Sequence, residues 1–146
     1  MSNYYLAFDF GTKYIGIAVG QDVTHTARPL TTIKLVAQAI DWPSIKKIVQ
    51  QWSPKALIVG IPQEMHGKNQ WITESAKKFA EQLAVETHRK VHTIDERLST
   101  IEAKEVLFDR GGHRALEKEA IDAMAAAVIL QTWLQSTVTD NPPPLD

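Results

Sequence analysis

The run KALIVGI at residues 55–61 restricts most strongly how this chain can fold. It is continuously apolar instead of alternating, a pattern typical of a strand that is covered on both faces. Pro62 ends the run, and segments with a helical pattern lie before and after it. This arrangement predicts an α/β protein with a buried sheet that is parallel at this strand.

The other segments predict the remaining elements of one domain. The stretch at 4–20 predicts two strands joined by a tight turn at 11–13. The segment at 27–35 predicts a third strand, and the proline near the start of that segment suits a strand at the sheet edge. Asp41 is predicted to cap the first helix. We predict a mixed five-stranded sheet, a three-strand antiparallel meander plus two parallel strands, flanked by helices on both faces. The remaining predicted elements are helices at 42–52 and 71–88, a strand at 90–96, and helices at 99–111 and about 116–135.

Composition narrows the function classes. The 146 residues carry 16 Lys and Arg against 17 Asp and Glu, a balance that does not by itself indicate a nucleic-acid partner. The absence of cysteine excludes disulfides, thiolate zinc sites and cysteine nucleophiles. We find no apolar run long enough to span a membrane and no export leader, and we therefore expect a cytoplasmic location. We expect one domain over 1–138 and a disordered tail over 139–146.

Acidic residues occur at three points where they contradict their surroundings. Asp9 lies between two phenylalanines in the first strand, where a carboxylate without a partner is costly. Asp122 is the one charged residue of the apolar stretch at 120–134, and it lies on the helix stripe formed by Ala126, Ile129 and Trp133. Asp95 and Glu96 close a predicted strand, and strand ends are where open α/β sheets place their chemistry. The pattern leaves open which of these last two acids takes part.

Convergence of the three points would require a divalent cation among them, because the carboxylates repel one another. Oxygen ligands suit Mg²⁺ or Mn²⁺. One or two such ions can activate a water and stabilise the leaving oxygen in phosphodiester hydrolysis. Taken singly, each acidic residue has an ordinary explanation as a turn residue, a helix-start residue or a polar strand exit.

Four motifs occur in order along the chain: DFGTKYIGIAVGQ (9–21), VGIPQEMHGK (59–68), DERLST (95–100) and KEAIDAMAA (118–126). Together they resemble the YqgF (RuvX) family, Holliday-junction-resolvase-like proteins with an RNase H-like fold that are assigned to processing of the 5′ end of pre-16S ribosomal RNA. The resemblance implies that Asp9, Glu96 and Asp122 form the catalytic and metal-binding set, and it favours Glu96 over Asp95. It also implies an RNA substrate, with branched DNA as an alternative and a pre-ribosomal particle as a further partner.

Four basic residues are weaker candidates for substrate binding, since each can equally be solvated or, for Arg97, paired with Asp95. They are Lys13, Lys68, Arg97 and Arg114, and the last two belong to a mixed-charge segment that forms either a basic rim or an ordinary surface. We assign the four tryptophans to packing instead of base stacking. Two further hypotheses remain open: a non-catalytic RNA-binding assembly factor, and a nucleotide-binding ATPase-like module suggested by the DFGT turn.

Overall fold

The structure is a computed structural model that describes residues 3–37, 39–62, 70–96 and 118–139. The predicted helix at 99–111 and the mixed-charge segment up to residue 117 lie outside the described residues, as do positions 140–146 of the predicted tail. The elements within the described ranges are β1 (Tyr4–Phe10), β2 (Tyr14–Gln21), β3 (Thr26–Lys34), α1 (Trp42–Trp52), β4 (Ala56–Ile61), α2 (Gln70–Thr87), β5 (Val91–Asp95) and α3 (Lys118–Thr139).

The five strands form one mixed sheet in the order β3-β2-β1-β4-β5. β1 pairs antiparallel with β2, which pairs antiparallel with β3, whereas β1–β4 and β4–β5 are parallel. The predicted architecture is therefore confirmed, with a meander on one side and two crossover strands on the other. β1 is the central strand, so Asp9 has a hydrogen-bonded strand on both sides.

The two faces of the central strands carry side chains of very different size. Residues in register share a face, because cross-strand neighbours point the same way. The face toward α3 is built largely from small residues, with Tyr5 and Ile58 as its large members, while the face toward α1 and α2 is built from large ones. The small face includes Ala7, Gly16, Ala18, Gly20, Ala56 and Gly60, and the large face includes Leu6, Phe8, Ile15, Ile17, Leu57 and Val59.

Helix α3 packs on the small face at a distance that only glycine allows. A Cβ atom added to Gly16 would overlap the main-chain carbonyl of Asp122 and would lie 2.9 Å from the nitrogen of Ala123. At Gly20 an added Cβ would lie 3.0 Å from the side chains of both Leu130 and Leu134. The alanines of α3 and the glycines of β2 thus bring the helix backbone onto the sheet.

Helices α1 and α2 cover the large face. Asp41 caps α1 as predicted, since its carboxylate accepts hydrogen bonds from the backbone nitrogen and the hydroxyl of Ser44, at 3.2 and 2.7 Å. In α2 the buried positions are Ala76, Phe79, Ala80 and Leu83, spaced as one helical stripe. The ring of Phe79 stacks on Trp42, with the two ring centroids 5.6 Å apart, which joins the two helices.

Two sequence predictions differ from the structure. Helix α3 ends at Thr139 and not near Gln135, because Leu134 is buried on the sheet and this packing outweighs the low helix propensity of the following Ser-Thr-Val-Thr. Trp71 is not a packing residue, since 57% of its surface is exposed. None of the helices in the described ranges is long and apolar enough to cross a membrane.

We predict that Gly16→Ala destabilises the protein much more than Gly60→Ala. At Gly16 the new methyl group would meet the backbone of Asp122, which cannot move unless the whole of α3 moves away from the sheet. We therefore expect a loss of about 3 kcal/mol in the free energy of unfolding. At Gly60 it meets the ends of the Ile129 and Glu96 side chains, which can turn away, so we expect a loss of about 1 kcal/mol. Urea unfolding followed by circular dichroism measures both, and equal losses would contradict the backbone contact.

Candidate active site at the carboxyl edge of the sheet

The carboxyl ends of the three parallel strands lie at one edge of the sheet. β1, β4 and β5 run in the same direction, so Phe10, Ile61 and Asp95 are neighbours at that edge. The turn at 11–13 lies there too, closed by a hydrogen bond from the nitrogen of Gly11 to the carbonyl of Tyr14 at 3.0 Å. This edge is where an open α/β sheet leaves space for a site above a rigid scaffold.

Asp9 stands at this edge between two glycines. Its register partners are Gly16 in β2 and Gly60 in β4, so all three point to the α3 face of the sheet. Neither neighbour has a side chain to cover the carboxyl group. The space left by Gly16 holds the backbone of Asp122, and the space left by Gly60 is bordered by the side chain of Glu96.

Strand register decides between Asp95 and Glu96. Ile94 pairs with Gly60 on the α3 face and Asp95 pairs with Ile61 on the opposite face. Glu96 follows the strand and returns to the α3 face: a Cβ atom added to Gly60 would lie 3.1 Å from its Cγ and 3.2 Å from its Oε1. The structure therefore places Glu96, and not Asp95, beside Asp9.

The environment of Asp9 opposes its ionisation. Removal of the carboxyl group from water is the main cause that raises the pKa of Asp9 well above its ordinary value, even though the residue keeps some exposed surface. A hydrogen bond with the side chain of Glu96 and the negative charges of Glu96 and Asp122 raise this pKa further. Burial and the two neighbouring acidic residues therefore act together against a charge on Asp9.

Asp122 completes the acidic group from the helix side. It is half-buried near the start of α3, and it acts on Asp9 through its charge, more weakly than Glu96 does. Among the described residues, no three His, Asp or Glu side chains are placed so that they could hold one metal ion together. The donor set nevertheless fits a hard cation in its chemistry, because it offers only carboxylate oxygens.

Basic side chains border this edge on the meander side. Lys13 is exposed in the hairpin turn as predicted, and its carbonyl accepts a hydrogen bond from the nitrogen of Leu35 at 2.8 Å. Lys34, which the sequence analysis did not select, ends β3 in the same place and is also exposed. The other three basic candidates, Lys68, Arg97 and Arg114, lie outside the described residues.

The sequence analysis also missed the glycines that form the floor of the site. Gly16 and Gly60 interrupt apolar strands, and glycine inside a strand often marks the close approach of another backbone or a ligand. That signal was present in YIGIAVG and ALIVGI. What the sequence alone could not supply was the register that puts both glycines beside Asp9.

Comparisons with known proteins point to one family. A family model described as "RuvX: Holliday junction resolvase" matches residues 3–136. A protein of Legionella pneumophila (strain Lens) named "Putative pre-16S rRNA nuclease" is 48% identical over 133 residues, which cover 91% of this chain and 96% of that protein. A relative of the same name from Pectobacterium carotovorum subsp. carotovorum (strain PC1) is 46% identical over 131 residues, 90% of this chain and 94% of that one.

Solved structures share the fold at low sequence identity. The RuvC protein of T. thermophilus, solved in complex with a Holliday junction substrate, matches with a TM-score of 0.65 and 16% identity, over 94% of this chain and 96% of that one. The fowlpox virus Holliday junction resolvase matches with a TM-score of 0.53 and 15% identity, over 91% and 99% of the two chains. These likenesses confirm the predicted RNase H-like fold.

We predict that Asp9→Asn stabilises the protein at neutral pH. The folded state raises the pKa of Asp9, so between the ordinary Asp pKa and this raised value the wild type loses stability as the pH rises. The asparagine side chain of the variant does not ionise, so the variant avoids this loss. Its midpoint of thermal unfolding should exceed that of the wild type by roughly 4 °C for each 1 kcal/mol gained in the free energy of unfolding. Thermal unfolding from pH 4 to pH 8 should show this advantage growing with pH.

Asp22→Asn provides a control of opposite sign at the far end of the sheet. The carboxylate of Asp22 accepts hydrogen bonds from the backbone and side-chain nitrogens of Asn3, at 3.0 and 2.9 Å, and these bonds lower its pKa. The ionised carboxylate of Asp22 therefore stabilises the fold above the ordinary Asp pKa, and this stabilisation is lost as the pH falls. Because Asp22→Asn lacks the carboxylate, the variant should be less stable than the wild type at neutral pH. Similar pH profiles for the two variants would contradict the assigned environments.

Proposed function

The chain belongs to the RuvX family, as its motifs predicted, and from this membership we propose that it is a nuclease that hydrolyses phosphodiester bonds at the 5′ end of pre-16S ribosomal RNA. Relatives that match along almost their whole length carry the name of a pre-16S rRNA nuclease, which supports this choice of substrate. We propose Asp9, Glu96 and Asp122 as the catalytic residues.

One observation carries the proposal: the contact between the carboxyl groups of Asp9 and Glu96, with Asp122 close enough to act on Asp9. These residues come from a central strand, the end of the outermost parallel strand and a separate helix. A merely structural role would not explain why partly buried acidic groups that oppose one another's ionisation are collected at the expense of stability. Perturbed carboxyl groups gathered at a strand edge are a common property of catalytic sites.

We propose that Asp9, Glu96 and Asp122 hold one or two Mg²⁺ or Mn²⁺ ions. When bound, such an ion supplies positive charge that lowers the pKa of an attacking water and neutralises charge on the phosphate. The raised pKa of Asp9 is the behaviour expected of a carboxyl group in such a set when the cation is absent.

The residues of the chain have separate tasks in this proposal. The surroundings of Asp9 favour its protonated form, so Asp9 must lose a proton before it can act as a ligand. Asp122 approaches from α3 and adds a third carboxyl group near Asp9. Lys13 and Lys34, exposed at the same edge, are placed to attract the RNA backbone from the meander side.

We predict that Glu96→Gln abolishes RNA cleavage and that the neighbouring Asp95→Asn does not. Loss of a ligand or a proton-transfer group at the site should lower the rate by about 100-fold or more. Asp95 pairs with Ile61 on the other face of the sheet, so its variant should keep activity within about tenfold of the wild type. The measurement is cleavage of a pre-16S RNA fragment by purified protein with Mg²⁺ or Mn²⁺.

Asp9→Asn serves as the second inactive variant in this assay. Equal cleavage by the wild type, Asp9→Asn and Glu96→Gln would show that the activity belongs to a contaminant or to other residues. Binding of RNA without cleavage by the wild type, unchanged in Asp122→Asn, would support the alternative of a non-catalytic assembly factor.

A four-way DNA junction is the second candidate substrate. The description of the matching family as a Holliday junction resolvase favours it. The same variants decide between the substrates, because the acidic set is common to both reactions. Cleavage of the junction at a higher rate than the RNA fragment, lost in Glu96→Gln, would assign the chain to DNA.

We further predict that Mn²⁺ raises the midpoint of thermal unfolding of the wild type and not that of Asp9→Asn. A cation that binds only the folded state stabilises it by mass action, by about 2.7 kcal/mol at 100 times its dissociation constant. The effect should grow between pH 5 and pH 8, because the proton on Asp9 competes with the cation. Equal stabilisation of both proteins would place the ion elsewhere.

A further inference from the structure

Tyr14 differs from the other two tyrosines because, among the described residues, it is part of neither hydrophobic core cluster. The ring of Tyr4 contacts Trp52, with the two centroids 5.1 Å apart. The ring of Tyr5 contacts Trp133 at 5.4 Å. Within the described ranges, Tyr14 makes no ring contact and its hydroxyl makes no hydrogen bond, although the residue is half-exposed at the start of β2. Its hydroxyl is therefore a donor that the fold itself does not use.

The strand register places Tyr14 beside Asp9. Asp9 pairs with Gly16, and Tyr14 precedes Gly16 by two residues, so Asp9 and Tyr14 point to the same side of the sheet, the α3 side. Diagonal neighbours of this kind on adjacent antiparallel strands lie about 7 to 8 Å apart, within reach of an aromatic side chain. Tyr14 also lies nearer to the hairpin turn than Gly16 does. It therefore borders the acidic group from the meander side.

Lys34 is the cross-strand partner of Tyr14. The two residues pair in the antiparallel ladder of β2 and β3, so their side chains leave the same face with Cβ atoms about 4.5 to 5.5 Å apart. Lys34 is exposed, and in the part of the chain that the structure describes its ammonium group forms no ion pair. It lies two strands across from Asp9 and two residues nearer the edge, about 12 Å away. A hydroxyl and a cation that the fold does not use thus lie side by side.

We propose that Tyr14 and Lys34 together bind one phosphate of the RNA, the phosphate next to the one that is cut. This inference rests on the proposed function. A strand whose cut phosphate lies at Asp9 and Glu96 has its next phosphate one nucleotide away, a distance similar to the diagonal spacing between Asp9 and Tyr14. The hydroxyl of Tyr14 donates a hydrogen bond to an oxygen of this phosphate, and the ammonium group of Lys34 pairs with its charge.

The charge of the site explains the need for such a contact. The acidic group formed by Asp9, Glu96 and Asp122 repels the RNA backbone until a cation is bound. A hydroxyl donor and a cation on the meander side offset this repulsion one nucleotide away from it. Contacts to phosphates fix the position of a strand without reading its bases. Tyr14 and Lys34 are therefore positioning residues, and their effect should not depend on the base sequence.

The salt dependence of RNA binding tests the role of Lys34. The parent protein is Asp9→Asn, and the probe is a fluorescein-labelled single-stranded RNA that spans the position cut by the wild type, measured by anisotropy in KCl without divalent cations. Lys34→Gln should reduce the slope of log K against log salt by about 0.7, so that its loss of affinity is about 5-fold greater at 0.1 M than at 1 M salt. Lys47→Gln is the matched control, since Lys47 is exposed in α1 over the opposite face, and should leave the slope unchanged.

The loss of one hydroxyl group tests the role of Tyr14. Tyr14→Phe should weaken binding by roughly 3-fold to 10-fold at every salt concentration, because the hydroxyl carries no charge. Tyr4→Phe, at the other end of the sheet, is the matched control and should bind like the parent. The double variant of Tyr14 and Lys34 should lose less than the product of the two single losses, because the two contacts meet at one phosphate. Circular dichroism confirms that each variant is folded.

An uncharged methylphosphonate in the RNA locates the contact. Two RNAs carry it at the phosphate before or after the cut position, with deoxyribose at the preceding nucleotide so that the backbone stays intact. One of these RNAs should bind the parent about 5-fold more weakly at 0.1 M salt than the unmodified RNA does. The same RNA should bind the double variant of Tyr14 and Lys34 as well as the unmodified RNA does.

The outcomes separate this proposal from the proposed function. An unchanged salt slope in Lys34→Gln, or equal binding by Tyr14→Phe and Tyr4→Phe, would overturn the shared phosphate site while cleavage by the wild type still stands. Equal sensitivity of the parent and the double variant to both methylphosphonates would also overturn it. A wild-type protein that cuts no RNA would overturn the proposed function and, with it, the assignment of this phosphate.

Discussion

The contact between the backbone of Asp122 and Gly16 is the constraint on which the rest of the site depends. Because β2 has no side chain at this position, α3 lies directly on the sheet and brings an acidic residue close to Asp9. Gly60 plays the corresponding part on the other side of β1, where it leaves room for Glu96. Three separate segments thus converge because the central strand has a glycine on each side of Asp9.

The size difference between the two sheet faces separates stability from chemistry. The large face packs Leu, Ile, Val and Phe against α1 and α2 and forms the larger of the two hydrophobic core clusters. The small face gives up part of that surface so that a helix backbone can approach. A destabilising carboxyl group is tolerable at the edge of the small face because the core clusters on both faces stabilise the fold, an arrangement common at functional sites.

The sequence predicted the order and type of the described elements well, because each has a strong local pattern. The apolar run at 56–61 and the buried stripe of α2 follow from the spacing of apolar side chains, and the cap of α1 follows from the aspartate at position 41. The choice between Asp95 and Glu96 needed strand register, which depends on pairing with β4 and not on the strand itself. The exposure of Trp71 and the length of α3 also depend on tertiary contacts. Family resemblance supplied the acidic set that spacing alone had left open.

The titration of Asp9 followed by carbon-13 NMR of its carboxyl carbon tests the account most directly. We expect it to titrate well above the ordinary range of an aspartate without a divalent cation, because burial, Glu96 and Asp122 all oppose its charge. Saturating Mg²⁺ should shift the titration to lower pH, since a bound cation favours the ionised form. An ordinary pKa that does not respond to Mg²⁺ would contradict a shared acidic site at this edge of the sheet.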